Sequence, residues 1–323
     1  MIQFAVEKAN LVLVITHIDP DGDAIGSLTA VGQAMEQLGK RVTLVCDDAV
    51  PPRFLSLPLA GDIRRASNAD ATYDLVVAVD CADELRMGWA YDRLKEPKPT
   101  LANIDHHITN TRFGAFNIID PDASSTAELL HRFLPEIGVE MTPGIAESLL
   151  TGIVTDTMGF RTSNVTATTL RAAADLVDAG ADIAAISLEA LHQRPYATAQ
   201  IWAIGLDDMK MEDGLIWSSI SRQDLQSAGL ERASSSSGLV NFLLDIDTAV
   251  MAAVLTEMAD DTVRVTMRCQ SPYNVADVAR QFGGGGHALA AGCALDGPLE
   301  DAEARIIAAC HEAIRRVQSP STP

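Results

Sequence analysis

Leu11-Val-Leu-Val-Ile-Thr-His17-Ile-Asp-Pro-Asp21-Gly-Asp23 is the stretch that decides the fold. It opens as an unbroken apolar run rich in β-branched residues, which suits a strand buried on both faces. It closes on a histidine and three acids, and a helical pattern then runs from Asp23 to Gly39. A strand buried on both faces and followed at once by a helix is half of a parallel α/β unit. The alternation repeats downstream. Arg41–Val45, Asp74–Val79 and Thr100–Ile104 read as further strands, and Ser124–Phe133, Thr142–Thr157 and Thr166–Ala179 as helices. The expected N-terminal fold is therefore a parallel α/β sheet, in which ligands collect beyond the carboxyl ends of the strands. His17, Asp80 and Asp105 each fall just past such an end.

The rest of the chain predicts a second, smaller α/β domain. A helical stretch over Ile183–Met209 would connect the two, and Ala233–Gly238 reads as a polar loop. Ala249–Glu257 and Thr262–Arg268 predict a β-hairpin around Asp260-Asp261, with helices over Val275–Phe282 and Glu300–Val317. The tail Ser319–Pro323 is expected to fray. At 323 residues the chain is long enough for two cores.

The bulk composition narrows the class. The 44 acids against 24 lysines and arginines give a net charge of −20, which argues against long duplex nucleic acid as a partner. It leaves room for a small anionic ligand, because bound divalent cations reverse the local field. Five scattered cysteines with no C-x-x-C pair predict reduced, buried thiols in a cytoplasmic protein. The apolar run at Leu11 is strand length, far short of a membrane span, so no membrane association is expected.

Four clusters carry the chemistry: His17-x-x-x-Asp21-x-Asp23, Asp80, Asp105-His106-His107 and Asp156. In the first, carboxylate and imidazole donors together suit manganese better than calcium. A calcium loop opening at Asp19 would need glycine at Ala24 and glutamate at Ala30. The plain alternative is an acidic turn with Asp23 capping the following helix. For Asp80 it is a turn residue, for the adjacent histidines a satisfied polar turn, and for Asp156 a helix-end pair with Arg161. A fifth cluster, Gly283–Gly286 followed by His287, lacks the Gly-Lys-Ser/Thr of a Walker A loop. It reads either as a backbone cradle for an anion or as a flexible turn before a small-residue helix at Ala288–Gly292.

H-I-D-P-D-G-D-A-I-G-S, V-D-C-A-D, I-D-H-H, G-I-V-T-D-T-M-G-F-R-T-S-N and F-G-G-G-G-H-A-L-A-A-G resemble, in order, the motifs of the DHH phosphoesterase superfamily. The nearest pattern is that of its oligoribonuclease/pAp-phosphatase (nanoRNase) branch. The resemblance implies a DHH catalytic domain over 1–188, a helical linker over 189–210 and a DHH-associated substrate domain over 211–323, with a cleft between them. It implies that His17 and Asp21 hold one divalent cation, that Asp23, His106 and Asp156 hold a second, and that Asp80 bridges them. His107 would face the phosphate or assist the leaving group. Arg268 and Gly283, Gly284, Gly285, Gly286 and His287 would bind substrate, and Ser124–Thr126 and Arg161–Asn164 would line the cleft. The expected ions are two Mn2+, with Mg2+ or Co2+ as alternatives. Asp19 stands where the branch often has a neutral polar residue, and Met158 where it often has glycine.

The expected activity is hydrolysis, by a metal-activated water, of short oligonucleotides, dinucleotides or pAp. A homodimer is among the expected assemblies. Hydrolysis of a cyclic or linear dinucleotide is the first alternative, and a nucleotide-binding scaffold without catalysis is the second. A type II pyrophosphatase fits the glycine-rich end less well. A processive exonuclease fits poorly with 5% aromatic residues, which leave few stacking platforms.

Overall fold

A computed structural model describes residues 2–66, 72–193, 195–229, 238–258 and 260–318. The chain forms two compact units, Met1–Gln193 and Arg194–Pro323.

In the first unit β1 (Leu11–Ile15), β2 (Arg41–Val45), β3 (Leu75–Val79), β4 (Thr100–Asp105) and β5 (Phe116–Ile119) form an all-parallel sheet, ordered β2-β1-β3-β4-β5. Its helices are α1 (Ile2–Lys8), α2 (Gly22–Gln37), α3 (Trp89–Asp92), α4 (Thr126–Glu136), α5 (Pro143–Asp156), α6 (Ala167–Asp178) and α7 (Ile183–Ser187). The apolar run of β1 is continuous because both faces are covered. Val12 and Val14 pack with α2, α4 and α5, while Leu13 and Ile15 pack with Tyr73, Met87, Tyr91 and Leu94. Strand addition reverses direction at β1, so the topological switch lies between β1 and β3. The loops carrying His17 and Asp80 leave from those two strands.

Helices α2 and α5 cross closely because they meet through glycines. A Cβ on Gly26 would strike the Ser148 carbonyl oxygen, and one on Gly22 the Thr155 side chain. A Cβ on Gly152 would lie 2.6 Å from both Ala127 Cβ and Asp23 Oδ1.

Several expectations change here. Asp21, not Asp23, caps α2, accepting from the Asp23 and Ala24 amides at 3.0 and 3.1 Å. Strand β5 was not foreseen. The stretch Ile183–Met209 is not one helix: α7 runs into a π turn at Leu188–His192, and a new helix, α8 (Tyr196–Asp207), starts in the second unit. Ile201 of α8 is buried against Ile216 and Leu239, so this part of the expected linker belongs to a core. The loop expected over Ala233–Gly238 lies, apart from Gly238, outside the described residues, as does the tail Ser319–Pro323.

The second unit is built on a mixed sheet of β6 (Lys210–Glu212), β7 (Leu215–Ile220), β8 (Met251–Glu257), β9 (Thr262–Cys269), β10 (Gly285–His287) and β11 (Ala290–Asp296). The order is β10-β11-β9-β8-β7-β6, with only β7 and β8 parallel. Helices α11 (Val275–Arg280) and α12 (Leu299–Gln318) cover one face. Helices α8, α9 (Arg222–Ser227) and α10 (Leu239–Leu244) pack on the other. The β8–β9 hairpin forms as expected. Ala288–Gly292 does not form a helix, because Ala290–Gly292 pair with Arg268–Thr266 of β9.

Candidate metal centre

The four N-terminal clusters meet at the carboxyl edge of the parallel sheet. Thr16 fixes the exit of β1, its amide bonding the Val45 carbonyl and its hydroxyl the Val79 carbonyl at 2.9 Å. His17 then sits 4% exposed, with Nε2 3.4 Å from Asp80 Oδ2 and Nδ1 2.7 Å from the Ile18 carbonyl. The latter contact turns Nδ1 to the backbone and Nε2 toward Asp80. Asp80 is 2% exposed. Its other oxygen, Oδ1, lies 3.8 Å from His106 Nε2 and 3.7 Å from His107 Nδ1. The two oxygens of one carboxylate thus face different imidazoles.

Three sets of donors have ligand atoms mutually within 4.8 Å: His17, Asp21 and Asp80; Asp23, His106 and Asp156; and Asp80, His106 and His107. Asp156 ends α5 and approaches His106 Nε2 at 3.4 Å. Asp23, 1% exposed, has one oxygen on the Thr126 amide at 2.6 Å and the other on the Ala127 amide at 2.9 Å. It can lie between α2 and α5 only because Gly152 has no side chain.

The electrostatics favour cations. Burial, with Asp80, Asp156 and Asp21 adding, raises the Asp23 carboxyl well above the usual range. Burial also pushes Asp156 up to about 7, His106 opposing and Asp80 adding. For Asp80 burial is outweighed by the hydrogen bond and charge of His17 and the charges of His106 and His107, so its carboxyl is held below the usual range. Among the described residues, no lysine or arginine pairs with any of these carboxylates. Oxygen-rich donors with imidazoles and an uncompensated acidic excess suit a pair of hard or borderline divalent ions.

The residues behind the donors were less visible in the sequence. Asp105 belongs to none of the three sets. It accepts from His107 Nδ1 at 2.7 Å and from Asn110 Nδ2 at 2.6 Å, orienting the ring. Burial alone would lower His107, but the Asp105 hydrogen bond and the Asp80 charge hold it up at about 9. Arg86 places a guanidinium nitrogen 3.1 Å from His17 Nδ1. Ser124–Thr126, expected to line a cleft, are fully buried instead and support the donors from beneath. Asp19, Asp80 and Met158 all have positive φ, at 56, 60 and 48°. Glycine tolerates this conformation better than any residue with a Cβ.

The glycine-rich cluster lies in the second unit and is only partly an open backbone. Gly283 has φ +74° and closes α11, its amide bonding the Arg280 carbonyl, while the Gly284 amide bonds Ala279. A Cβ on Gly284 would strike β11, whereas Gly285 faces open space. Arg268, Ala290 and His287 are direct cross-strand partners, which places Arg268 and His287 on one face with only an alanine between them. Arg268 is half-buried, and no carboxylate pairs with it among the described residues.

The pattern of the DHH family, N-terminal domain, matches residues 11–153, and that of the DHHA1 domain matches residues 228–316. The chain is 33% identical over 307 residues to the bifunctional oligoribonuclease and PAP phosphatase NrnA of Thermus thermophilus, covering 94% of this chain and 90% of that protein. It is 26% identical over 302 residues to the Bacillus subtilis protein of the same name, covering 88% and 89%. A solved exopolyphosphatase-related protein from Bacteroides fragilis matches with a TM-score of 0.92 at 22% identity, over 98% of this chain and 96% of that one, a likeness of fold. With both domains in order and this similarity along nearly its whole length, the chain belongs to the DHH family of phosphoesterases.

Proposed function

We propose that the chain hydrolyses phosphoester bonds in short oligonucleotides and in pAp-type nucleotides, with two divalent cations, Mn2+ foremost. The observation that carries this reading is the overlap of three donor sets, two through Asp80 and two through His106, in a chain one-third identical to a protein named for both activities. His17, Asp21 and Asp80 would hold one ion, and Asp23, His106 and Asp156 the other, with Asp80 shared. Such a pair, when bound, neutralises phosphate oxygens and supplies a nucleophilic water at neutral pH.

The remaining work falls to protein groups. His107, with Nδ1 committed to Asp105, would meet the phosphate or the leaving oxygen through Nε2. Burial of Asp80 and Asp23 keeps their carboxylates away from bulk water. Large apolar side chains are exposed beside the donors, Ile18 next to His17, Ile108 next to His107 and Met158 just after Asp156. They offer a nucleoside an apolar border. In the second unit, Arg268 and His287 would grip a substrate phosphate, and Gly285 would let its backbone approach.

The net charge of −20 supports short substrates. Phosphates beyond the first few would meet acidic surface and stay unneutralised. The test is Mn2+-supported hydrolysis of a series from pAp through two- to five-nucleotide RNA to a 24-mer. The expected result is a fall in kcat/KM toward the 24-mer, with a shallow dependence on salt. Equal or faster cleavage of the 24-mer, lost steeply as salt rises, would instead mark a processive exonuclease.

A further inference from the structure

We infer that Thr126 is a positioning residue that ties the donor groups to one another, an inference that rests on the two-cation reading. Thr126 is the first residue of α4 and is fully buried. Its amide donates to Asp23 Oδ2 at 2.6 Å and its hydroxyl to Asp80 Oδ1 at 2.9 Å. Asp23 belongs to the set with His106 and Asp156, and Asp80 to the two other sets. Among the described residues, no other residue hydrogen-bonds both side chains.

The placement has a physical purpose. Asp23 receives the Thr126 and Ala127 amides, the first two of an 11-residue helix, whose unsatisfied N–H groups and dipole favour a carboxylate. The hydroxyl engages one lone pair of Asp80 Oδ1 and so fixes the rotation of that carboxylate about its Cβ–Cγ bond. Both carboxylates are oriented before any ion arrives, and the separation between them is set by a single residue.

The turn itself is braced. Ser125 caps α4, accepting from the Glu128 amide at 3.1 Å. Glu128, 2% exposed, accepts through Oε2 from the Ser124 amide at 3.0 Å, the Ser124 hydroxyl at 2.7 Å and the Thr169 hydroxyl at 2.9 Å. Thr169 stands in the first turn of α6, so the turn is anchored to a second helix.

A crossed pair of variants separates positioning from packing. Thr126→Val keeps the methyl and the branched shape and removes the hydroxyl, whereas Thr126→Ser does the reverse. The full chain, stripped by chelation, is titrated with Mn2+ by calorimetry, and the bound pair is followed by electron paramagnetic resonance. We expect Thr126→Val to weaken binding of at least one ion about ten- to a hundredfold, the usual effect of losing an outer hydrogen bond. The spin-coupled signal should weaken with it, and kcat should fall more than KM rises. Thr126→Ser should stay within about threefold of the parent in every readout, in keeping with its intact donor. The opposite ranking, or Thr126→Val binding Mn2+ as the parent does, overturns the inference. Should Thr126→Val not fold, Thr126→Ala takes its place against Thr126→Ser with the same two outcomes. A parent chain that binds no Mn2+ at all would refute the two-cation reading itself, a result distinct from either.

Discussion

The two units bury different kinds of polar group. Among the described residues of the first, four acids, Asp23, Asp80, Asp105 and Glu128, and one histidine, His17, are all at most 4% exposed. Among the described residues of the second, the buried polar side chains are Thr198, Ser218 and Thr256, none of them ionisable. Its charged candidates, Arg268 and His287, stay at or near the surface. Burying a carboxylate without a partner costs several kcal/mol, on the order of what a whole domain has to spare. All four are hydrogen-bonded, yet a unit that takes four carboxylates out of water is shaped by something other than stability. The described residues of the second unit carry no such burden, and its candidate substrate groups can be altered with little risk to its core.

Three experiments would break or sharpen that contrast. The largest effect is expected at the shared carboxylate. Asp80→Ala should reduce kcat at saturating Mn2+ below about a tenth of the parent value with the fold intact, and anything above that would mean Asp80 is assigned wrongly. Next comes the glycine that makes room for Asp23. Gly152→Ala forces a methyl into Ala127 and Asp23, so it should lower stability by about 1–3 kcal/mol and weaken Mn2+ binding. Gly285→Ala, where nothing lies within 4 Å, should leave the unfolding midpoint unchanged. A similar loss from both would erase the distinction between the units. The smallest effect is expected from His287→Ala. It should leave Mn2+ affinity untouched and lower kcat/KM on nucleotide substrates by about tenfold, the scale of one lost hydrogen bond to a charged group. Loss of bound Mn2+ would put the second unit among the ligands.

The legibility of the sequence follows the same division. Strands β1 and β3 announce themselves because two-sided burial demands unbroken apolar runs, β4 keeps that mark apart from Asn103, and the residues that follow them carry the donors. Strand β5 is only half-buried along its length, so Phe116–Ile119 leaves no such mark. Strands β10 and β11 are mostly glycine and alanine, which carry little β preference of their own. They are strands because β9 supplies a partner. Within the site, histidines and acids at strand ends are visible one residue at a time. Thr126, Glu128 and Gly152 are not, because their roles exist only once α4 and α5 are brought against α2. A cap at Asp23 is the plain alternative to its role as a metal ligand, because any acid before a helix can serve. Only the packed structure shows Asp21 capping and Asp23 turned inward.

The left-handed backbone at Asp80 places evolution and stability at odds. A non-glycine residue in this conformation costs about 1 kcal/mol or somewhat more. Asp19 and Met158 adopt it too, so the penalty recurs near the same donors. Selection for thermal endurance alone would drift all three positions toward glycine. At Met158 that drift is harmless to the donor set, since its side chain is not a ligand. At Asp80 the same exchange would relax the turn and remove the carboxylate that the two donor sets share. On the two-cation reading, residue 80 is therefore a place where a stabilising substitution and an inactivating one would be the same mutation.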